Sequence, residues 1–360
     1  MKKAKKLLAV LLVGVMVFAL AGCSSSDDSS SDSADSAGTD DAATETLTIG
    51  YSYPTANNEF WVNALTYVEE CADTLGFEIM SEDCNNDQAE QITDVESMIS
   101  SGIDALVLGP QDASVVAGIA ASCETAGIPL VIIDRSPEDD VTVGEDYVCF
   151  IGPNDEDAGY QQAIALIEAG CTQIVALGGY QSTSVAENRK AGLDKALEEH
   201  PEVTLLQYEY AGESMDEGDE VFRNLYQANP DLDGVWCYND SLALAAVNVL
   251  KEEGLVDSVK VGGMDCLSPA IESMQAGELY YSIGGHYLQA AFGCIVAFDV
   301  ASGYEYTGED AISLSLFAVS QENLDEYGDM LVNNELDVDW ESLSQTTNPD
   351  ADYDFVLSLE

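Results

Sequence analysis

Charged and amide side chains come directly after several short apolar runs in this chain. Asp134 and Arg135 follow one run, Asn239 and Asp240 follow a second, and Asp265 ends a third. If these runs are strands of parallel sheets, the side chains lie at the carboxyl ends of the strands, where open parallel sheets bind their ligands. Any one of these residues could instead be the N-cap of a helix. For Asp240 the N-cap and the ligand site are equally good explanations. The shared position of these residues favours a common ligand site.

The first apolar run is followed by an amide and two aromatic side chains, Asn58, Phe60 and Trp61. Aromatic rings pack on the apolar faces of a ligand, whereas carboxylate and guanidinium groups form paired hydrogen bonds with its polar edge. Polar groups removed from water need good partners, and this requirement makes such a site selective. The residue types therefore suit binding of a small molecule that has both kinds of surface.

The chain has only three arginines beside its 67 acidic residues. Arg135 comes after an apolar run and beside a carboxylate, and Arg189 lies early in the helical segment that follows Gly178 and Gly179. In a chain so poor in positive charge we interpret these two as functional positions. Arg223 fits the solvated face of a helix better.

The sequence disfavours metal-binding and thiol-redox sites, because the residues that usually form them do not occur at the required spacing. Residues 229–234 resemble the start of a calcium loop, but Gly234–Cys237 is typical of a strand, with a common turn before it. No Cys-x-x-Cys pair or Cys/His cluster occurs, so we expect neither a metal nor another cofactor. Most of the cysteines beyond Cys23 lie in apolar runs, which indicates buried free thiols: Cys71, Cys84, Cys123, Cys149, Cys171, Cys237, Cys266 and Cys294.

Catalytic patterns are weak as well. The chain has two histidines and no Gly-x-Ser-x-Gly segment, which disfavours a histidine-based triad. Asp134 and Asp265 could form the carboxylate pair of a glycosidase. Arg135 beside Asp134 would keep that acid ionised, however, and an ionised carboxylate suits binding better than acid catalysis. We therefore expect a binding protein and not an enzyme.

Alternating strand and helix patterns fill the chain from Leu47 onward. Runs rich in β-forming residues predict strands at Leu47–Ser52, Ala105–Leu108, Leu130–Ile133, Val148–Ile151, Ile174–Leu177, Leu205–Tyr208, Gly234–Cys237 and Val259–Gly262. Helical periodicity lies between most of them, at Phe60–Leu75, Ala89–Ile99, Val115–Thr125, Tyr160–Ala169, Ala186–Leu197 and Leu242–Leu250. The alternation predicts an α/β fold with parallel sheets, and the length exceeds one comfortable core, so we expect two lobes.

The first residues predict export. Four lysines precede the short apolar run Leu7–Ala19, and small residues lead to Cys23. The run is shorter than a typical membrane span and fits a cleavable signal, residues 1–22. Residues 23–46 are mostly Ser, Asp, Ala and Thr, which predicts a flexible tether. The Leu-Ala-Gly-Cys ending resembles the lipobox of bacterial lipoproteins and implies acylation of Cys23, hence an extracytoplasmic protein held to the cell membrane by lipid.

Acidic residues greatly outnumber basic residues in the chain that follows the predicted signal. Removing the four signal lysines leaves 7 basic against 67 acidic residues, a formal charge of −60. Nucleic acid is an unsuitable partner because it is a polyanion. Dispersed acids usually form a solvated surface, and adaptation to salt or divalent cations is the alternative. Their mutual repulsion predicts that added salt stabilises the fold.

Several segments, taken in order, resemble the ribose-binding-protein group of type I periplasmic binding proteins, the solute receptors of sugar ABC importers. The similarity runs from about Leu47 to Tyr327. The segments that carry it are Asn57–Trp61, Ile128–Arg135, Thr183–Arg189, Asn229–Asp240, Val261–Asp265 and Ser320–Tyr327. It implies two Rossmann-like lobes with parallel sheets, joined by a multi-strand hinge and closing on a sugar.

The resemblance implies a role for each matching residue. Asn58 corresponds to a hydrogen-bonding asparagine, and Phe60 and Trp61 correspond to an aromatic pair that sandwiches the sugar ring. Asp134 and Arg135 would bond ring hydroxyls from the first lobe. The polar contacts of the second lobe would be Arg189, Asn239 and Asp265.

Two positions depart from the ribose binders. Glu213 stands where they have an aromatic residue of the second lobe, and Ile283–Tyr287 replaces a segment with a glutamine near the hinge. These changes put ribose itself in doubt and leave a hexose, a polyol such as inositol, a sugar derivative or a pentose open. His286 would either reach the ligand or lie at the hinge.

The predicted organisation has a first lobe of residues 47–152 and 285–313 and a second lobe of residues 153–284 and 314–332. Residues 333–360 form a tail without a match. We expect a monomer that delivers a sugar or polyol to an ABC permease and its ATPase. The alternatives are a sensing receptor that docks on a sensor kinase or chemoreceptor, or a binder of a nucleoside-type ligand. A repressor domain is disfavoured because an export signal is present and a basic DNA-binding head is not.

Overall fold

A computed structural model describes residues 46–181 and 183–359, which belong to one compact unit. The predicted signal, Cys23 and nearly all of the tether lie outside the described residues. Two six-stranded sheets with helices on their faces form the architecture. No helix in the described ranges is long and apolar enough to cross a membrane.

The first sheet is wholly parallel, and its strand order is β11-β5-β4-β3-β1-β2. Its strands are Thr48–Tyr53 (β1), Glu78–Asp83 (β2), Ala105–Leu108 (β3), Leu130–Ile133 (β4), Phe150–Pro153 (β5) and Ala311–Leu314 (β11). The helices of this lobe are Glu59–Leu75 (α1), Gln88–Ser101 (α2), Val116–Ala126 (α3) and Gln289–Ala301 (α9). Because β3 and β4 are buried at every position, they lack the alternation of a half-exposed strand.

The second sheet has the order β12-β10-β9-β8-β6-β7, and only β12 runs antiparallel to its neighbour. Its strands are Gln173–Gly178 (β6), Thr204–Tyr210 (β7), Gly234–Cys237 (β8), Lys260–Asp265 (β9), Tyr281–Gly284 (β10) and Phe317–Val319 (β12). The helices of this lobe are Asp155–Glu168 (α4), Ser184–Glu199 (α5), Met215–Ala228 (α6), Asp240–Glu253 (α7), Ser268–Gln275 (α8) and Leu324–Val332 (α10). The predicted two-lobed α/β fold is therefore confirmed.

Local signals in the sequence set where several helices begin and end. Asp87 caps α2 by accepting from two backbone N–H groups, and Ser214 forms a reciprocal capping box with Glu217 at the start of α6. Gly76 and Gly102 follow α1 and α2 with φ of 83° and 90°, a conformation that glycine adopts without a steric penalty. These caps fix the ends of the helices that connect consecutive strands along the chain.

The chain passes between the two sheets after β5, after β10 and between β11 and β12. In the first sheet, β5 continues to Pro153 and β11 to Leu314, one residue beyond each predicted lobe limit. The predicted lobe boundaries remain a proposal. Strand prediction also placed β5 at Val148–Ile151, whereas it begins at Phe150, because the apolar run continues from a loop into the strand.

The tail beyond α10 packs on the first lobe, including the short helix Trp340–Leu343 (α11). Asp299 in α9 is fully buried and accepts hydrogen bonds from the tail, among them one from the Ser344 hydroxyl at 2.6 Å and one from the Gln345 backbone N–H at 2.7 Å. Phe355 stacks on Phe292 with ring centroids 4.4 Å apart. The tail therefore covers an apolar helix that would otherwise face water.

The cysteines behave as the sequence predicts. The eight from Cys71 to Cys294 are buried and free of disulfide bonds. Within residues 46–181 and 183–359, no group of three or more His, Cys, Asp or Glu side chains is placed to hold a metal ion. The segment that resembles a calcium loop runs into β8, as its strand pattern indicated.

Candidate functional site

One pocket between the two lobes is lined by every site residue that the sequence predicted. The first lobe contributes residues from the start of α1 and the end of β4, and the second contributes residues from α5 and from the ends of β7, β8 and β9. The crossover after β10 contributes His286. The predicted residues that line it are Asn58, Phe60, Trp61, Asp134, Arg135, Arg189, Glu213, Asn239, Asp265 and His286. The geometry brings them together, and their roles toward a ligand remain predictions.

Phe60 and Trp61 in the first turn of α1 form the apolar wall. Their rings meet edge to face, with centroids 5.0 Å apart. The helix is started by Asn58, whose Oδ1 accepts the Phe60 backbone N–H at 3.0 Å, so its amide N–H groups remain able to meet a ligand. Trp61 lies so close to Gly109 that a Cβ there would stand 3.1 Å from the indole ring. Glycine at position 109 therefore allows the Trp61 indole to pack closely against the backbone.

Asp134 and Arg135 directly follow β4. Asp134 has φ of +67°, which is uncommon for a residue other than glycine, and strained conformations of this kind cluster at active and ligand-binding sites. Its Oδ1 accepts from Gln289 Nε2 at 2.8 Å. Arg135 Nη1 donates to the Gln111 carbonyl oxygen at 2.7 Å. Both side chains are thus held in place before any ligand binds, while Arg135 Nε is buried and has no hydrogen-bond partner among residues 46–181 and 183–359.

Arg189 is fixed by two groups of the second lobe and by His286 at the crossover after β10. Its Nε donates to Asp155 Oδ1 at 2.8 Å, and its Nη1 donates to the Tyr238 carbonyl oxygen at 2.8 Å. Its Nη2 lies 3.2 Å from His286 Nε2. Burial raises the pKa of Asp155 to about 7, although the Arg189 guanidinium opposes this shift. Asp155 was not among the residues predicted from the sequence, although the polar pair Asn154-Asp155 directly after β5 indicates a position at the same edge of the sheet.

Glu213 connects the lobes. Each of its carboxylate oxygens accepts a hydrogen bond from Arg135 Nη2 at 3.2 Å, and Oε1 also accepts one from the Tyr238 hydroxyl at 3.1 Å. Asn239 supports it, because its Nδ2 donates to the Glu213 carbonyl oxygen at 2.9 Å while its Oδ1 caps α7. Asn239 thus has structural partners at both polar atoms. Tyr238, which the sequence analysis missed because it ends an apolar run, also lines the pocket.

Asp265 ends β9 with φ of +122°, a second strained carboxylate at the pocket. Its Oδ1 lies 3.5 Å from Nε2 of His286. His286 lies at the crossover that follows β10 and is 1% exposed. Burial and then the Arg189 charge lower the pKa of His286 well below its usual value, so the ring is neutral. His286 therefore lies at the crossover and also lines the pocket. Burial raises the pKa of Asp265 well above the usual range.

The free space in this pocket is small. It measures about 30 Å³, room for about two water molecules at most. A pentose or a hexose is several times larger than a water molecule and needs more space than this. The side chains of the two lobes, above all the Arg135–Glu213 pair, fill the volume between them. A ligand of that size requires this pair to move apart.

Known proteins resemble this chain over most of its length. A family model described as a periplasmic binding protein domain matches residues 49–305. The ribose import binding protein of Bacillus subtilis is 30% identical over 235 residues, which make up 64% of this chain and 74% of the relative. The xylitol-binding protein of Mycolicibacterium smegmatis is 24% identical over 324 residues, 89% of this chain and 87% of the relative.

A solved structure supports the same grouping. An ABC transporter solute binding protein from Bacillus halodurans with bound myo-inositol superposes with a TM-score of 0.70 and 27% identity, covering 79% of this chain and 98% of that one. The resemblance to type I periplasmic binding proteins that the sequence segments predicted is thereby confirmed. The chain belongs to the periplasmic binding protein family.

Proposed function

We propose that this protein is an extracytoplasmic receptor that captures a monosaccharide or related polyol between its two lobes and delivers it to an ABC permease. The observation that carries the proposal is the convergence of the ten side chains selected from the sequence, from both lobes, on one pocket. The relatives named for ribose and xylitol, and the structure with bound myo-inositol, support the same ligand class.

The pocket suits a sugar chemically. Phe60 and Trp61 offer aromatic surface for the C–H face of a ring. Asp134, Arg135 and Arg189 offer charged hydrogen-bonding groups for vicinal hydroxyls. A ligand closes two lobes only if it binds the closed form better than the open form. Contacts from both lobes meet this condition, since neither lobe alone supplies both the aromatic wall and the Arg189 cluster.

A thermal-shift panel tests the proposal. The folded body from Thr46 onward is mixed with pentoses, hexoses, inositols, linear polyols and nucleosides, and hits are titrated by calorimetry. A ligand that binds the native state raises the melting temperature by mass action. We expect a clear rise with one sugar or polyol class, with the ligand recovered unchanged. No rise with any sugar or polyol would contradict the proposal, and conversion of the ligand would indicate an enzyme.

The proposal extends to location and partners. Acylated Cys23 would hold the protein at the bacterial cell membrane, and the acidic tether at residues 24–46 would extend it from the surface. We propose that a monomer docks on the permease, whose ATPase drives import. Mass spectrometry of the mature N-terminus should find a lipid on Cys23, and Cys23→Ala should release the protein from membranes. An unmodified, soluble wild-type protein would contradict the anchor.

A further inference from the structure

The pocket wall carries more negative than positive charge. Of the described residues that line it, Asp134, Glu213 and Asp265 are acids, while Arg135 and Arg189 are the cations. Arg189 is already matched by Asp155, 2.8 Å away and outside the pocket lining. Arg135 lies 3.2 Å from Glu213 and 3.7 Å from Asp134, so the two arginines face four acids, the three that line the pocket and Asp155.

Histidine does not supply the missing charge. His286 is buried beside the Arg189 guanidinium, which keeps its ring neutral. Its Nε2 lies 3.2 Å from Arg189 Nη2, so this nitrogen accepts a hydrogen bond from the guanidinium group and carries no proton to donate to Asp265. The 3.5 Å contact between Asp265 Oδ1 and this nitrogen is thus not an ion pair.

Asp265 is the acid with the least compensation. It is 4% exposed and lines the pocket. Within the described ranges, its side chain forms no hydrogen bond and its nearest ionisable contact is the neutral His286. The cation that acts on it, Arg189, is already paired with Asp155. The Asp265 backbone adopts a strained φ of +122° beside the pocket. The Glu213 carboxylate accepts hydrogen bonds from Arg135 and Tyr238. It nevertheless adds a second negative charge to the excess in the pocket.

A buried carboxylate needs a proton or a cation, because burying an unpaired charge is costly. Burial raises the pKa of Asp265 well above the usual range, so this acid holds a proton until a bound cation displaces it to the solvent. Sugar hydroxyls bring donors but no charge, whereas an ammonium group brings three donors and a positive charge. We propose that the ligand is an amino sugar or amino polyol whose ammonium group binds against Asp265, with Glu213 supplying the second negative charge. This inference rests on the proposed function and names the subclass of ligand.

Matched ligand pairs test the inference by calorimetry. The pairs are glucose and glucosamine, galactose and galactosamine, mannose and mannosamine, and myo-inositol and an amino-deoxy-inositol. We expect the amine to bind at least tenfold more tightly than its parent in one pair or more. This preference should disappear as the pH rises above the pKa of the ligand's amine, a readout that needs no variant.

Charge-neutral variants locate the effect. Glu213→Gln and Asp265→Asn keep the side-chain shape, and each should reduce the amine-to-parent affinity ratio at least threefold. Glu252→Gln is the matched control, because Glu252 forms an exposed ion pair with Arg223 outside the pocket. This variant should leave the amine-to-parent affinity ratio unchanged. A ratio that stays at the wild-type value in either pocket variant would overturn the assignment.

The outcomes separate this inference from the proposed function. If neutral sugars or polyols bind and no amine exceeds its parent, the receptor function stands and the amine inference is overturned. If no compound of either kind binds, both are overturned. A preference for the amine that does not depend on pH would also overturn the inference, because the charge would then not be its cause.

Discussion

Arg135 and Glu213 form an ion pair that joins the two lobes of this receptor. The residues are 78 positions apart in sequence, and Arg135 Nη2 lies 3.2 Å from each oxygen of Glu213. The Arg135 and Glu213 side chains are 6% and 14% exposed, so water screens the pair only weakly. The pair stabilises the closed arrangement and occupies the space that a ligand needs. Ligand binding therefore exchanges one set of contacts between the lobes for another.

Glu213→Gln should loosen the closed form in the absence of ligand. The amide retains one hydrogen-bond acceptor but removes the charge, at a cost of roughly 1–3 kcal/mol. Small-angle X-ray scattering should give a larger radius of gyration for this variant than for the wild type, and saturating ligand should reduce the difference. Glu252→Gln, which alters an exposed ion pair, should scatter like the wild type. Identical scattering of all three ligand-free proteins would contradict the role of the pair.

The stability of the fold should decrease as the pH rises from about 4 to about 7. Asp240 is fully buried, and burial raises its pKa to about 7 from an unfolded value of about 3.9. In this window the folded state binds a proton that the unfolded state lacks, so the free energy of unfolding falls by about 1.4 kcal/mol per pH unit for each such proton. Urea unfolding should show a shallower slope in Asp240→Asn. An equally steep slope in that variant would rule out Asp240 as a source.

Salt should stabilise the protein. A formal charge of −60 on the chain after signal removal repels itself, and ions screen this repulsion over about 10 Å at 0.1 M and about 3 Å at 1 M. Differential scanning calorimetry between these two concentrations of sodium chloride should show a rising melting temperature. A melting temperature that is constant or falls with salt would show that the acids do not destabilise the fold.

The tail should contribute to the stability of the first lobe. Trp340 is 2% exposed, and its Nε1 donates to Glu70 Oε1 at 3.2 Å. Trp340→Ala should lower the free energy of unfolding by about 3–5 kcal/mol, because a large buried ring leaves a cavity. Val356→Ala is the control in the same segment, since Val356 is 69% exposed. Equal urea midpoints for the two variants would show that the tail adds no stability.

The sequence predicted the sheets well where strands are buried on both faces. Ala105–Leu108, Leu130–Ile133 and Gly234–Cys237 have the predicted bounds because their apolar runs are continuous. The edge strand Glu78–Asp83 was missed, since it is partly exposed and contains three acids. Propensity cannot identify a strand whose partner supplies most of its stabilisation.

The pocket was predictable because the carboxyl ends of parallel strands converge, so residues far apart in sequence share one crevice. What the sequence could not predict is which polar groups meet within it. The Arg135–Glu213 contact and the matching of Arg189 by Asp155 depend on how side chains pack after the chain has folded. The order of residues along the chain does not determine those partners.

Calorimetric titration of the best sugar or polyol tests the central claim, that a ligand is bound by residues of both lobes. It is measured in the wild type, in Arg135→Ala from the first lobe and in Asp265→Ala from the second. Arg223→Ala is the matched control, because this arginine lies in exposed ion pairs on α6. We predict at least tenfold weaker binding in both pocket variants and wild-type affinity in the control. Wild-type affinity in both pocket variants would contradict the account.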